Sequence, residues 1–116
     1  MAVVGDRFVA KLLTAAEIAY CAGRIEQLAT RIAAKEAAAK VLRTGFRGIR
    51  WHEIEVVTAP NGAPSLSLSG AAASAARVIG LDALELSCSH EGGFAVAVVV
   101  GEGRGVTALA LGATGR

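Results

Sequence analysis

Arg31-Ile32-Ala33-Ala34-Lys35-Glu36-Ala37-Ala38-Ala39-Lys40 is the stretch of this chain on which its fold turns. Alanine is the best helix former. Leu28, Ile32, Ala39 and Leu42 recur at three-to-four spacing around it. A long helix with one apolar stripe is therefore predicted from about Ile25 to Leu42. Glu36 and Lys40 stand four apart and project from one face, a turn from each other. Such a pair can idle as a salt bridge. Alternatively, the carboxylate can take a hard cation while the ammonium takes a phosphate that the cation also touches.

Upstream of that helix, Thr14 and Glu17 form a capping box that opens a helix from about Ala15 to Cys21 or Ala22. Gly23 breaks it. Residues 1–5 read as a short strand. Downstream, the glycines of Thr44-Gly45-Phe46-Arg47-Gly48 end the long helix. Trp51 to Val57 reads as a strand, Pro60-Asn61-Gly62-Ala63-Pro64 as a turn, and Ser65 to Ser69 as the second strand of a hairpin. Gly70 to Ile79 reads as an alanine-rich helix. Leu84 to Cys88 reads as a strand with Leu84, Leu86 and Cys88 on one face and Glu85, Ser87 and Ser89 on the other. Phe94 to Val100 and Val106 to Leu111 follow as strands, the second a possible docked tail, and residues 112–116 as a frayed end. The expected class is α+β: a small, largely antiparallel sheet lying on one long helix, within a single domain.

Composition narrows the function. A chain of 116 residues is one domain by the usual prior. It is 53% hydrophobic and only 4% aromatic, so its core is built from small residues, which oligomer contacts would help. A net charge of +2 with no dense Lys/Arg run argues against nucleic-acid binding. No run of about 18 apolar residues suggests a membrane span, and no signal peptide is visible. Cys21 and Cys88 lack a disulfide framework and read as reduced, in a cytoplasmic protein, with Cys88 a small core residue. There is no phosphate-cradling G-x-x-x-x-G-K-S/T loop, and His52 and His90 do not have zinc-ligand spacing.

A second signal, Ser87-Cys88-Ser89-His90, lies about fifty residues beyond the first, with an N-G-x-P turn between them. Together, R-I-A-A-K-E-A-A-A-K and S-C-S-H resemble the R-F-A-A-K-E-A-x-x-K helix and S-x-S/T-H strand end of the holo-acyl-carrier-protein synthases, the small phosphopantetheinyl transferases. The resemblance runs from roughly Asp6 to Glu102. It implies transfer of the 4′-phosphopantetheine arm of coenzyme A to a serine of an apo acyl carrier protein, in fatty acid or polyketide biosynthesis. It further implies Mg²⁺ as cofactor and a homotrimer with sites between subunits.

Residue by residue, the resemblance makes Glu36 a ligand of the magnesium ion that bridges the pyrophosphate. Lys40 would neutralise charge as the phosphoanhydride breaks. His90 would contact coenzyme A phosphates and could help deprotonate the serine. Ser89 would donate to a phosphate oxygen. Arg31 would contact a phosphate or simply be solvated. Lys35 matches the motif, with general electrostatic support as its other reading. Asn61, Gly62 and Pro64 match a turn near the nucleotide, although a plain hairpin turn explains them equally.

The chain departs from the family at its start. Family members open with a strand ending G-I/V-G-x-D-I/L, whose aspartate is the other metal ligand, followed by an E-x-x-R-I/F helix. Here about twenty residues of that region are expected to be missing. Asp6 is the stand-in candidate for the metal, and the residues after it lead straight to Thr14 without room for the usual helix. Arg43 stands where the family often has glycine, and Glu85 where it often has histidine. A second hypothesis follows: a binding module that holds a carrier protein or coenzyme A without chemistry. A third is an ordinary enzyme with a truncated start.

Overall fold

The structure, a computed structural model, describes residues 6–115, so the strand expected over residues 1–5 lies outside the described residues. Helices α1 (Asp6–Leu12), α2 (Ala15–Cys21) and α3 (Ile25–Val41) come first. Strands β1 (Ile54–Thr58) and β2 (Pro64–Leu68) form a hairpin, and helix α4 (Gly70–Ile79) follows. Strands β3 (Leu81–Glu91), β4 (Phe94–Gly103) and β5 (Val106–Thr114) complete the chain. The described residues form two antiparallel sheets, β1-β2 and β3-β4-β5, and α3 packs against both. The expected α+β class holds, with the sheet divided in two. No helix of the described residues is long and apolar enough to cross a membrane.

Four local expectations need correction. A two-turn helix, α1, occupies the stretch before Thr14 that was expected to lead straight on. Leu12 and Leu13 at its end are buried with Cys21 and Leu28. Trp51–Glu53 is a 3-10 turn rather than strand. The Arg50 amide donates to Glu53 Oε1 at 3.0 Å, and the Glu53 amide donates to the Arg50 carbonyl at 3.0 Å, which curls the segment before β1 begins. Strand β3 extends past its expected ends at both sides. Finally, Gly112, Ala113 and Thr114 are not frayed: they pair with Ala97, Val96 and Ala95 of β4.

The alanines of α3 explain why that last strand is held. Ala33 and Ala34 meet Val56 of β1 and Ala97 of β4, while Ala37, Ala38 and Val41 join Ile54, Ala72 and Val99. With side chains this small, helix and sheet backbones approach closely. Gly112 marks the tightest point: a Cβ there would collide with the Ala33 carbonyl oxygen and press on the Ala37 amide. Past the end of α3, Arg43 has φ +65°, the left-handed conformation glycine would adopt without strain. The departure from the family's glycine is therefore tolerated as local backbone strain.

Lys35, deep in α3, is 0% exposed, and its Nζ lies 2.7 Å from Glu17 Oε1. The Lys35 ammonium also donates to the Trp51 carbonyl at 3.1 Å. Glu17, 1% exposed, accepts the Thr14 amide at 2.8 Å as the expected capping box. Its other oxygen accepts the Val56 amide at 2.7 Å. One carboxylate thus joins α2, α3 and β1. Burial pushes the Lys35 pKa below its ordinary value, and the Glu17 carboxylate opposes that shift.

Two stability measurements test this packing. Gly112→Val should lower the unfolding free energy by about 2 kcal/mol or more, because backbone cannot yield as side chains do. Lys35→Met should cost about 3–5 kcal/mol by stranding the Glu17 charge. Urea midpoints at constant slope would read both, and an unchanged midpoint for either would contradict the packing described.

Candidate functional site

A pocket of about 200 Å³ opens where α2 and α3 face the hairpin turn and the end of β3. Arg31, Gly62, Pro64, Ser89 and His90 all line it, although they span most of the chain. Arg31 is only 3% exposed. One guanidinium nitrogen donates to Thr58 Oγ1 at 2.6 Å and the other to Gln27 Oε1 at 3.3 Å, leaving Nε without a partner. No carboxylate pairs with Arg31 among the described residues. A buried cation held only by neutral acceptors is costly unless an anion completes it. His90 adds a ring at the mouth, its Nδ1 3.5 Å from Glu26 Oε2 at the exposed rim. Glu85 shares the exposed face of β3 with Ser87 and Ser89, pairs in register with Val100 of β4, and does not line the pocket.

The turn serves this pocket unevenly. The Asn61 carboxamide oxygen accepts the Ala63 amide at 2.9 Å, and Gly62 takes φ +90°. Gly62 and Pro64 reach the pocket wall, but Asn61 does not, its oxygen being used within the turn.

Glu36 and Lys40 do not join this pocket. At about 3.6 residues per turn, Lys40 lies nearly opposite Arg31 on α3. Its ammonium donates to the Leu111 carbonyl on β5 at 2.9 Å. No ion pair joins Glu36 to Lys40 among the described residues, so the idle salt bridge is not formed. Among the described residues, no ion pair engages the half-buried Glu36 carboxylate, which suits a cation. No group of three metal-binding side chains occurs among the described residues. A single carboxylate still suits Mg²⁺, which rests on one or two carboxylates with waters and substrate phosphates. Asp6 opens α1 by its backbone, but its side chain lies outside the described ones.

Several participants were not legible from spacing. The Tyr20 ring lies under the Arg31 guanidinium, 4.4 Å from centroid to Cζ, across a helix break that no periodicity crosses. Thr58 and Gln27 are neutral residues with no motif. Cys88 lines the pocket half-buried, and burial raises its thiol pKa more than nearby Arg31 lowers it. It packs against the cluster of Ala33, Ala34, Val56 and Ala97, in keeping with its strand position.

The family model described as the 4′-phosphopantetheinyl transferase superfamily matches residues 2–99. A holo-[acyl-carrier-protein] synthase of Koribacter versatilis is 45% identical over 100 residues, covering 83% of this chain and 80% of the relative. One from Anaeromyxobacter dehalogenans (strain 2CP-C) is 48% identical over 103 residues, covering 86% and 79%. The solved structure of the Helicobacter pylori holo-[acyl-carrier-protein] synthase in complex with coenzyme A superposes with a TM-score of 0.74 at 31% identity, covering 83% of this chain and 82% of that one. A sequence match across most of the chain and a shared fold lead to one conclusion: the chain belongs to the 4′-phosphopantetheinyl transferase superfamily.

Proposed function

We propose that this chain transfers the 4′-phosphopantetheine arm of coenzyme A to a serine hydroxyl of an apo acyl carrier protein. The serine oxygen attacks the phosphorus bearing the pantetheine arm, the anhydride bond breaks, and adenosine 3′,5′-bisphosphate leaves. The observation that carries this reading is the buried, carboxylate-free Arg31 in a pocket it shares with Ser89 and His90. That pocket suits the phosphates of the nucleotide half, with Gly62 and Pro64 shaping its wall. The His90 imidazole, a base when neutral, also suits proton removal from the serine. Asn61 supports the site through the turn it closes.

Glu36 would hold Mg²⁺, with Asp6 a further candidate ligand. When bound, the ion supplies charge neutralisation to the pyrophosphate. Lys40 would balance charge on the same group as the bond breaks. The cytoplasm suits the free thiols of Cys21 and Cys88. Fatty acid or polyketide biosynthesis is the setting such a product implies.

Arg31 and Lys40 leave opposite sides of α3, so a single copy does not close both around one pyrophosphate. Copies meeting face to face would join one chain's Arg31 pocket to another's Glu36 and Lys40. The outer face of the three-stranded sheet supports this, since Val96, Leu109 and Leu111 are exposed there. A homotrimer is the assembly we assign.

Two experiments test the reading. Apo carrier protein incubated with the chain, coenzyme A and Mg²⁺ should gain the phosphopantetheine mass. Glu36→Gln should slow that gain by about 10²–10³ without changing the melting temperature. Full activity in Glu36→Gln removes the metal role. Coenzyme A binding by wild type with no transfer favours the binding module, a reading motivated by Glu36 being the only carboxylate placed for the metal among the described residues. Light scattering should give three times the 11.7 kDa chain mass. Leu109→Asp should dissociate the assembly and abolish transfer together, whereas an active monomer would overturn the shared site.

A further inference from the structure

We infer that Tyr20 is a positioning residue for the Arg31 guanidinium, and through it sets the affinity of the pocket for the phosphate-bearing half of coenzyme A. The inference rests on the reading just proposed. An arginine side chain has many torsions, so a buried guanidinium keeps one orientation only if several contacts fix it. Thr58 and Gln27 fix two of its nitrogens in the plane of the group. Tyr20 supplies the contact out of that plane, with its ring centroid 4.4 Å from Arg31 Cζ. The ring itself lines the pocket and is 41% exposed, so a ligand in the pocket meets both groups.

The type of contact matters more than its strength. A carboxylate in the place of Tyr20 would hold Arg31 equally well, but it would cancel the positive charge and repel an incoming phosphate. The negative face of an aromatic ring attracts a cation without neutralising it. Arg31 is thus held, buried and still fully charged, with Nε unpaired. Tyr20 is itself secured from the other side of the sequence. Arg24 lies 5.0 Å from the same ring centroid, and its guanidinium donates to the carbonyls of Tyr20 and Cys21 at the end of α2. The ring near the end of α2 therefore contacts two guanidiniums, of which Arg31 lines the pocket.

Steady-state transfer kinetics with coenzyme A varied at saturating carrier protein test this role. Tyr20→Leu should raise KM for coenzyme A about tenfold, with kcat within about twofold and KM for the carrier protein unchanged. Tyr20→Phe should restore KM to within about twofold of wild type, because the ring face is kept. Equal losses in the Leu and Phe variants would assign the effect to the hydroxyl and overturn the inference. An unchanged KM in Tyr20→Leu, or a fall in kcat alone, would do the same. If Tyr20→Leu does not fold, Tyr20→Met, which keeps side-chain bulk without the ring face, carries the test, with the same rise confined to KM expected. Arg31→Gln separates the levels. If it raises KM while Tyr20→Leu does not, only the role of Tyr20 falls. If Arg31→Gln changes nothing, the proposed nucleotide pocket falls and Tyr20 with it.

Discussion

The buried pair of Glu17 and Lys35 is the contact on which the rest of the arrangement depends. Neither group reaches solvent, so each must find its full complement of partners inside the protein. Glu17 takes the Lys35 ammonium and the amides of Thr14 and Val56. Lys35 adds the Trp51 carbonyl. Those partners come from α2, β1 and the turn before it, and they leave α3 a single rotational setting. The setting has chemical consequences. Turning Lys35 inward places Arg31, one turn earlier, on the same side and against Thr58 of β1. It sends Lys40 to the other side, against β5.

Small residues complete what the ion pair begins. The alanine face of α3 lets the helix lie close to β4 and β5, and Gly112 lets β5 pass beneath the helix backbone. Close approach places the Leu111 carbonyl within reach of Lys40. Fold and site are thus coupled through backbone distance, and a bulkier core would separate the elements that carry the polar groups. The outer face of the three-stranded sheet, turned away from α3, keeps apolar Val96, Leu109 and Leu111 exposed.

Much of the fold was legible because its signals are local. The alanine-rich run, the Thr14–Glu17 capping box and the alternation around Leu84, Leu86 and Cys88 each depend on residues a few positions apart. The errors share a cause as well. The 3-10 turn at Trp51 forms because Glu53 reaches back to Arg50, a side-chain choice that competes with strand propensity. Gly112–Thr114 reads as a loose end by composition, yet it is ordered by pairing with β4 and by contact with α3. Lys35 illustrates the limit for polar residues. Its motif position was plain, but its partner Glu17 sits eighteen residues away behind a helix break.

By itself the amino-acid sequence determined the long helix, the hairpin turn, the kinship carried by R-I-A-A-K-E-A-A-A-K and S-C-S-H, and the residue types available for phosphate chemistry. Periodicity and motif spacing reach that far because they report neighbours along the chain. Only the tertiary structure decided which of those residues share a pocket. It brought Arg31, Gly62, Pro64, Ser89 and His90 together, enlisted Tyr20 and Thr58, and set Glu36 and Lys40 elsewhere on α3. The reason is geometric: a helix residue's direction is read from sequence only relative to its own axis. Which neighbour it meets depends on how that axis is rotated and packed, and here a buried ion pair and a stripe of alanines decide both.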